Sequence, residues 1–154
     1  MKLTRRVKES FSVIGKEGST RQGEGFIQKL WAEANGGFGE VQTLAKTKED
    51  GSLAGIWGAM TDFSRSFAPW EENFTQGLYL AGIECEDGAE APEGWSKWTL
   101  PGFEYLVAEA AGPEAFQEAL RYMEGAGLAL AGAAQDFTDP ADGKSQQWFP
   151  IRKL

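Results

Sequence analysis

The apolar run Gly77-Leu78-Tyr79-Leu80-Ala81-Gly82-Ile83-Glu84-Cys85, with Glu84 its one charged residue, reads as a β-strand. Period two sets Tyr79, Ala81, Ile83 and Cys85 on one face and Leu80, Gly82 and Glu84 on the other. Val7, Phe11, Val13 and Ile14 mark an earlier strand over residues 7–15. Phe26, Ile27, Leu30, Trp31 and Ala34 recur at helical spacing and predict an amphipathic helix from about Gly23 to Asn35. Asn35-Gly36-Gly37 ends it, because both residue types accept positive φ. Short strands follow near Glu40–Ala45 and Ala54–Met60, with Glu49-Asp50-Gly51-Ser52 turning between them. Residues 62–76 read as a loop whose Phe67, Trp70 and Phe74 keep it from being simply solvated.

The same order then recurs. Phe103–Ala108 reads as a strand, and Gly112-Pro113 opens a helix with Pro at its first position. Ala115, Phe116, Ala119, Leu120 and Met123 form its apolar stripe, and Gly125 and Gly127 close it. Two more strands are predicted over Leu128–Ala134 and Trp148–Ile151, joined through Asp139-Pro140-Ala141-Asp142-Gly143. Strand, helix and strands given twice predict a tandem α+β domain spanning 1–154. Module one covers about 1–76 and module two about 77–154, sharing one core. Such a pair creates a groove along its pseudo-twofold axis, a natural ligand site.

Composition narrows the chemistry. At 154 residues with 42% hydrophobic and 12% aromatic residues, the chain can build one packed core. No apolar run reaches the ~20 residues of a membrane span, and the basic opening Met1–Arg6 lacks the apolar stretch of a signal peptide. A single cysteine, Cys85, excludes an internal disulfide and fits a reducing cytoplasm. The net charge of -8, with no aromatic-basic stripe, argues against direct nucleic-acid binding. Histidine is absent, which removes Ser-His-Asp and Cys-His catalysis and His-ligated metals. No cofactor or metal is expected.

Glu84 then stands out. A carboxylate aligned with Leu80 and Gly82 needs water, a partner or a ligand, since burying it unpaired costs on the order of several kcal/mol. An acid in a chain with six Trp suits a pocket for an apolar cation.

The quoted segments also carry a resemblance. Phe11-Ser12-Val13-Ile14-Gly15, Leu30-Trp31-Ala32-Glu33-Ala34-Asn35, Gly55–Asp62, Tyr79–Glu84, Leu100–Tyr105 and the closing Trp148-Phe149-Pro150-Ile151, in this order and spacing, resemble the GyrI-like, or AraC-type effector-binding, domain family. The likeness is greatest to its stand-alone branch of integron-associated cationic-drug-binding proteins. It implies a pseudo-twofold pair of strand-helix-strand-strand modules, an antiparallel sheet and a central groove for amphipathic, often cationic molecules. The family's Gly-x-Glu element falls on Gly82-Ile83-Glu84. The first strand starts within ten residues of Met1, so no helix-turn-helix domain is expected before it, and any regulatory role is expected through a protein partner.

Glu84 is the expected anchor for the ligand's charge. Trp57, beside Gly58, and Trp70, in the aromatic loop, are candidates to stack on a flat cation, worth ~0.5–2 kcal/mol each. Tyr79 and Tyr105 are candidate hydroxyl donors, Glu104 a second acid, and Phe38 a rim residue. Trp31 is expected in the core. The leading expectation is a binding module that senses or sequesters a cationic or aromatic small molecule. A hydrolase of electrophilic cyclopropane-bearing toxins would use Glu84, Glu104 and Tyr105. An acidic gyrase- or regulator-binding protein would use the loop from Glu86 to Glu93.

Overall fold

The computed structural model describes residues 1–154. Eight strands form one antiparallel sheet: β1 (Leu3–Lys8), β2 (Phe11–Ser19), β3 (Ile56–Thr61), β4 (Leu78–Cys85), β5 (Ser96–Leu100), β6 (Phe103–Ala108), β7 (Gln135–Thr138) and β8 (Ser145–Lys153). Their spatial order is β1-β6-β8-β7-β3-β4-β2-β5. Two helices, α1 (Phe26–Gly37) and α2 (Pro113–Gly125), complete the fold. No helix is long and apolar enough to cross a membrane. The α+β architecture with an antiparallel sheet is the one expected.

Strand order makes the internal symmetry explicit. β2-α1-β3-β4 pairs as β3-β4-β2, and β6-α2-β7-β8 pairs as β7-β8-β6. The halves meet at the β3–β7 seam, where Gly58 sits opposite Asp136. Each half lends an edge strand to the other: β1 pairs with β6, and β5 pairs with β2. β4 pairs with β2 and β3, so the strand-helix-strand-strand unit that holds α1 includes residues through Cys85.

The sheet cannot be flat. β1 and β2 lie six strand positions apart, roughly 29 Å at ~4.8 Å per strand, yet only Glu9 and Ser10 connect them. Three Cα steps span about 11 Å. Pro101-Gly102 imposes the same limit between β5 and β6. The sheet must curl until its flanks meet, and its inner face then packs on itself. That face holds Phe11, Val13, Leu80, Tyr105 and Val107 around Trp57, whose ring lies 4.8 Å from Phe11 and 5.2 Å from Trp148.

The outer face carries the helices. Leu30 and Ala34 of α1 bury against Ile14, Ala81 and Ile83. Ala119 and Met123 of α2 bury against Leu106 and Phe149. Gly127, at φ 71°, stops α2 and lets the Leu128 N–H return to the Met123 carbonyl, a left-handed C-terminal cap. β4, covered on both sides, is buried at all eight positions.

Three predicted strands change. The strand over 7–15 is two strands, broken where Glu9-Ser10 carries the chain across the curl. Residues 40–45 form tight 3-10 turns (Phe38–Glu40, Gln42–Leu44). Phe38, Val41 and Leu44 recur every three residues, the period of that helix rather than of a strand. Leu128–Ala134 joins no ladder; the Ala131 and Ala133 N–H groups bond instead to the carbonyls of Pro150 and Phe67, and the strand begins at Gln135.

Candidate functional site

Because α1 covers one half of the sheet and α2 the other, neither covers the seam. A cavity of about 760 Å³ lies there, within the range of small-molecule sites. Ile27, Gln28 and Trp31 of α1 form one wall, and Pro113, Phe116 and Gln117 at the start of α2 form the opposite one. Gly58, Met60, Tyr79, Asp136 and Gln147 make the floor.

The loop of residues 62–76 supplies a third wall through Pro69, Trp70, Asn73, Phe74 and Thr75. Asp62 pins its root by accepting from the Ser66 N–H (2.9 Å) and from the hydroxyls of Thr61, Ser64 and Ser66. Trp70 Nε1 donates to the Leu78 carbonyl at 3.0 Å. Glu72, Asn73 and Phe74 all have positive φ (51°, 57° and 66°), a left-handed turn that L-residues adopt at a cost of ~1–2 kcal/mol each. It sets the Phe74 ring edge-on against Phe116, 5.4 Å between centroids, so the loop touches α2.

A polar chain crosses the floor. Trp31 Nε1 donates to the Tyr79 hydroxyl at 3.2 Å. An indole N–H only donates, so the Tyr79 hydroxyl is left to donate in turn to Asp136 Oδ2, 3.4 Å away. Gln147 Nε2 donates to Asp136 Oδ1 at 3.1 Å. Asp136 is the only Asp, Glu, Lys or Arg among the lining residues, and both its partners are neutral. Burial pushes its carboxyl above the ordinary 3.8, against the pull of Gln147 and Tyr79. Burial, then the Asp136 charge, raises the Tyr79 phenol in turn, so Tyr79 stays a neutral donor.

Gly58 makes this contact possible. A Cβ there would collide with the Tyr79 hydroxyl and come within 3.2 Å of Asp136 Cβ. The gap beside Trp57 is thus filled from within, by Tyr79. Gly58→Ala is expected to push Tyr79 off Asp136 and destabilise the fold by about 1–3 kcal/mol, as overpacking does. Thermal unfolding measures the cost.

Of the residues singled out from sequence, Tyr79 and Trp70 line this cavity. Glu84 does not: it lies on the inner face of the curl, 4% exposed, accepting from Trp57 Nε1 (3.1 Å) and paired with Lys8 Nζ at 3.2 Å. Trp57 and Tyr105 are buried on that same inner face, Tyr105 against Phe103 and Trp148. Glu104 pairs with Arg152 Nε at 3.1 Å, half-buried and outside the cavity. Phe38 borders a separate, smaller cavity. Trp31, expected in the core, is a wall of the large cavity, and Asp136 and Gln147 drew no attention in the sequence. Asp136 and Thr138 alternate with Gln135 and Phe137, a strand signal that the nearby Asp139-Pro140 turn obscures.

The fold is shared with solved proteins. A structure of SAV2435 bound to tetraphenylphosphonium is 19% identical over 99% of this chain and 94% of its own, with a TM-score of 0.66. An integron cassette protein from the mobile metagenome of Vibrio cholerae is 13% identical over 97% and 95%, TM-score 0.55. A hydrolase from Listeria innocua is 14% identical over 97% and 91%, TM-score 0.53. No curated protein is significantly similar in sequence. The family model described as integron-associated effector binding protein matches residues 7–136, most of the chain. With a GyrI-like fold and that match, the chain belongs to the family of integron-associated effector binding proteins.

Proposed function

We propose that this protein binds amphipathic, aromatic-bearing cations in the seam groove, with Asp136 as the counter-charge, and so acts as a sensor or sequestering protein. The observation that carries the reading is the uncompensated acid: the one charged lining residue has only Tyr79 and Gln147 as partners. A cation among Trp31, Trp70, Phe74 and Phe116 would gain ring-face attraction and neutralise Asp136 at once. Binding of tetraphenylphosphonium by SAV2435, which shares the fold, supports the choice of ligand class.

The hydrolase candidates do not converge. Glu84 is tied to Lys8 and Trp57, Glu104 to Arg152, and Tyr105 is packed between Phe103 and Trp148. None lines the groove.

The test uses two ions of one shape and opposite charge. Tetraphenylphosphonium should quench tryptophan fluorescence saturably, and tetraphenylborate should bind at least ~100-fold more weakly, since the Asp136 term changes sign. Equal affinities would mean the groove reads shape and apolarity alone, and would sink the counter-charge assignment.

A further inference from the structure

We propose that the smaller cavity is a second ligand site, for a small neutral aromatic molecule with one hydrogen-bond acceptor, and that Trp31 couples it to the groove. The cavity holds about 210 Å³ between the C-terminal half of α1, the 3-10 turns and β4. Ile14, Phe38, Val41, Ile83, Trp31 and Trp95 are among its walls, and no Asp, Glu, Lys or Arg lines it. An apolar cavity of this order has room for a single aromatic ring. A charged occupant would find no partner there.

Among the walls of this cavity one buried polar atom is left over. Trp95 is 8% exposed, and its Nε1–H has no acceptor. A buried donor without a partner is uncommon in folded proteins. The ring is held in place. Lys16 Nζ sits 4.1 Å above its centroid while donating to the Gly94 carbonyl at 2.8 Å. Gly37 keeps its edge clear, since a Cβ there would come within 3.1 Å of Cζ2. An indole N–H is satisfied only by an acceptor, so the complementary occupant is a substituted ring carrying a carbonyl or ether oxygen.

Trp31 is the wall common to both cavities. The same indole donates to Tyr79, and Tyr79 faces Asp136. An occupant pressing on Trp31 shifts the donor that orients the Tyr79 hydroxyl, and with it the groove's carboxylate. Linkage requires the effect to be mutual. The second site stands on Trp95 alone; the coupling rests on the cation-binding reading of the groove.

Acetophenone, with one ring and one carbonyl, and ethylbenzene, with the ring alone, separate these points by NMR of the ¹⁵N-labelled protein. The Trp95 indole N–H signal is identified by its loss in Trp95→Phe. Acetophenone is expected to move that signal downfield saturably, with or without saturating tetraphenylphosphonium, and ethylbenzene to bind several-fold more weakly. Leu53→Trp, which fills the cavity from its half-buried rim, should abolish the shift while the fold persists. Saturating acetophenone should change tetraphenylphosphonium affinity about five-fold or more, and Trp31→Phe should remove that change. An unmoved Trp95 signal, equal binding of ethylbenzene, or simple competition with the phosphonium would overturn the second site. If the phosphonium fails to bind at all, the groove reading and the coupling fall, and the Trp95 signal still decides the second site.

Discussion

Asp136→Asn is expected to weaken tetraphenylphosphonium binding by about 100-fold without destabilising the protein. The estimate follows from one ion pair at ~6 Å and an effective dielectric of ~20, roughly 3 kcal/mol. Asparagine keeps the shape: its Oδ1 can accept from Gln147, and its Nδ2 can donate to the Tyr79 hydroxyl, at the positions where the carboxylate accepts from those two groups. It removes a charge that burial already disfavours, so the melting temperature should stay level or rise. Calorimetric titration beside thermal unfolding reads both. Unchanged affinity would show that Asp136 is not the counter-charge, and a large loss of stability would show that its hydrogen bonds hold the seam together.

The same carboxyl predicts a pH dependence of known sign. Its folded-state pKa lies above the unfolded value of about 3.8, so between the two values the folded protein holds more protons than the unfolded chain. The Asp136 contribution to stability therefore falls as pH rises through that window and is constant above it. Cation affinity runs the other way: it should rise with pH until Asp136 is ionised and then level off. Below that point binding releases a proton, which titration in buffers of different ionisation enthalpy detects. Asp136→Asn should abolish both the release and the slope. No other Asp, Glu, Lys or Arg lines the groove to supply a competing titration.

Local pattern and long-range pairing divide what the sequence could disclose. Alternation along β4 correctly put Tyr79 and Glu84 on opposite faces. It could not say which face the helices cover, because that depends on β1 and β5 crossing to the opposite halves. Glu84 therefore looked like a groove residue, while its partner Lys8 lies 76 positions away and reaches it only because the sheet curls. Asp136 shows the converse. It meets Tyr79 across 57 residues through β3, where Gly58 is its register partner. A four-residue strand between a run of small residues and an Asp-Pro turn gives little local sign of such a role. The α1 stripe was readable, yet its 3.6 period does not separate Leu30 and Ala34, which meet the sheet, from Trp31, which faces the seam.

Glu84→Ala tests the other half of that contrast: it should destabilise the fold by about 3 kcal/mol and leave phosphonium affinity within about two-fold. The substitution strands the Trp57 indole N–H in the inner core and takes the anion from Lys8. A buried ion pair that loses one member typically costs ~3–5 kcal/mol. The lower end applies because Lys8 is 26% exposed and also rests on the Phe11 ring, 4.5 Å from its centroid, so water and the ring retain part of its solvation. For a domain of this size the melting temperature should drop about 6–12 °C. Affinity should hold because the inner face is separated from the groove by the sheet itself, with Leu80 and Glu84 on one side of β4 and Tyr79 on the other. The double variant Lys8→Met/Glu84→Leu should recover much of the loss, since an apolar pair of similar volume leaves no unpaired charge inside the curl. If Glu84→Ala instead abolishes binding at temperatures where the variant is fully folded, the inner acid takes part in recognition after all.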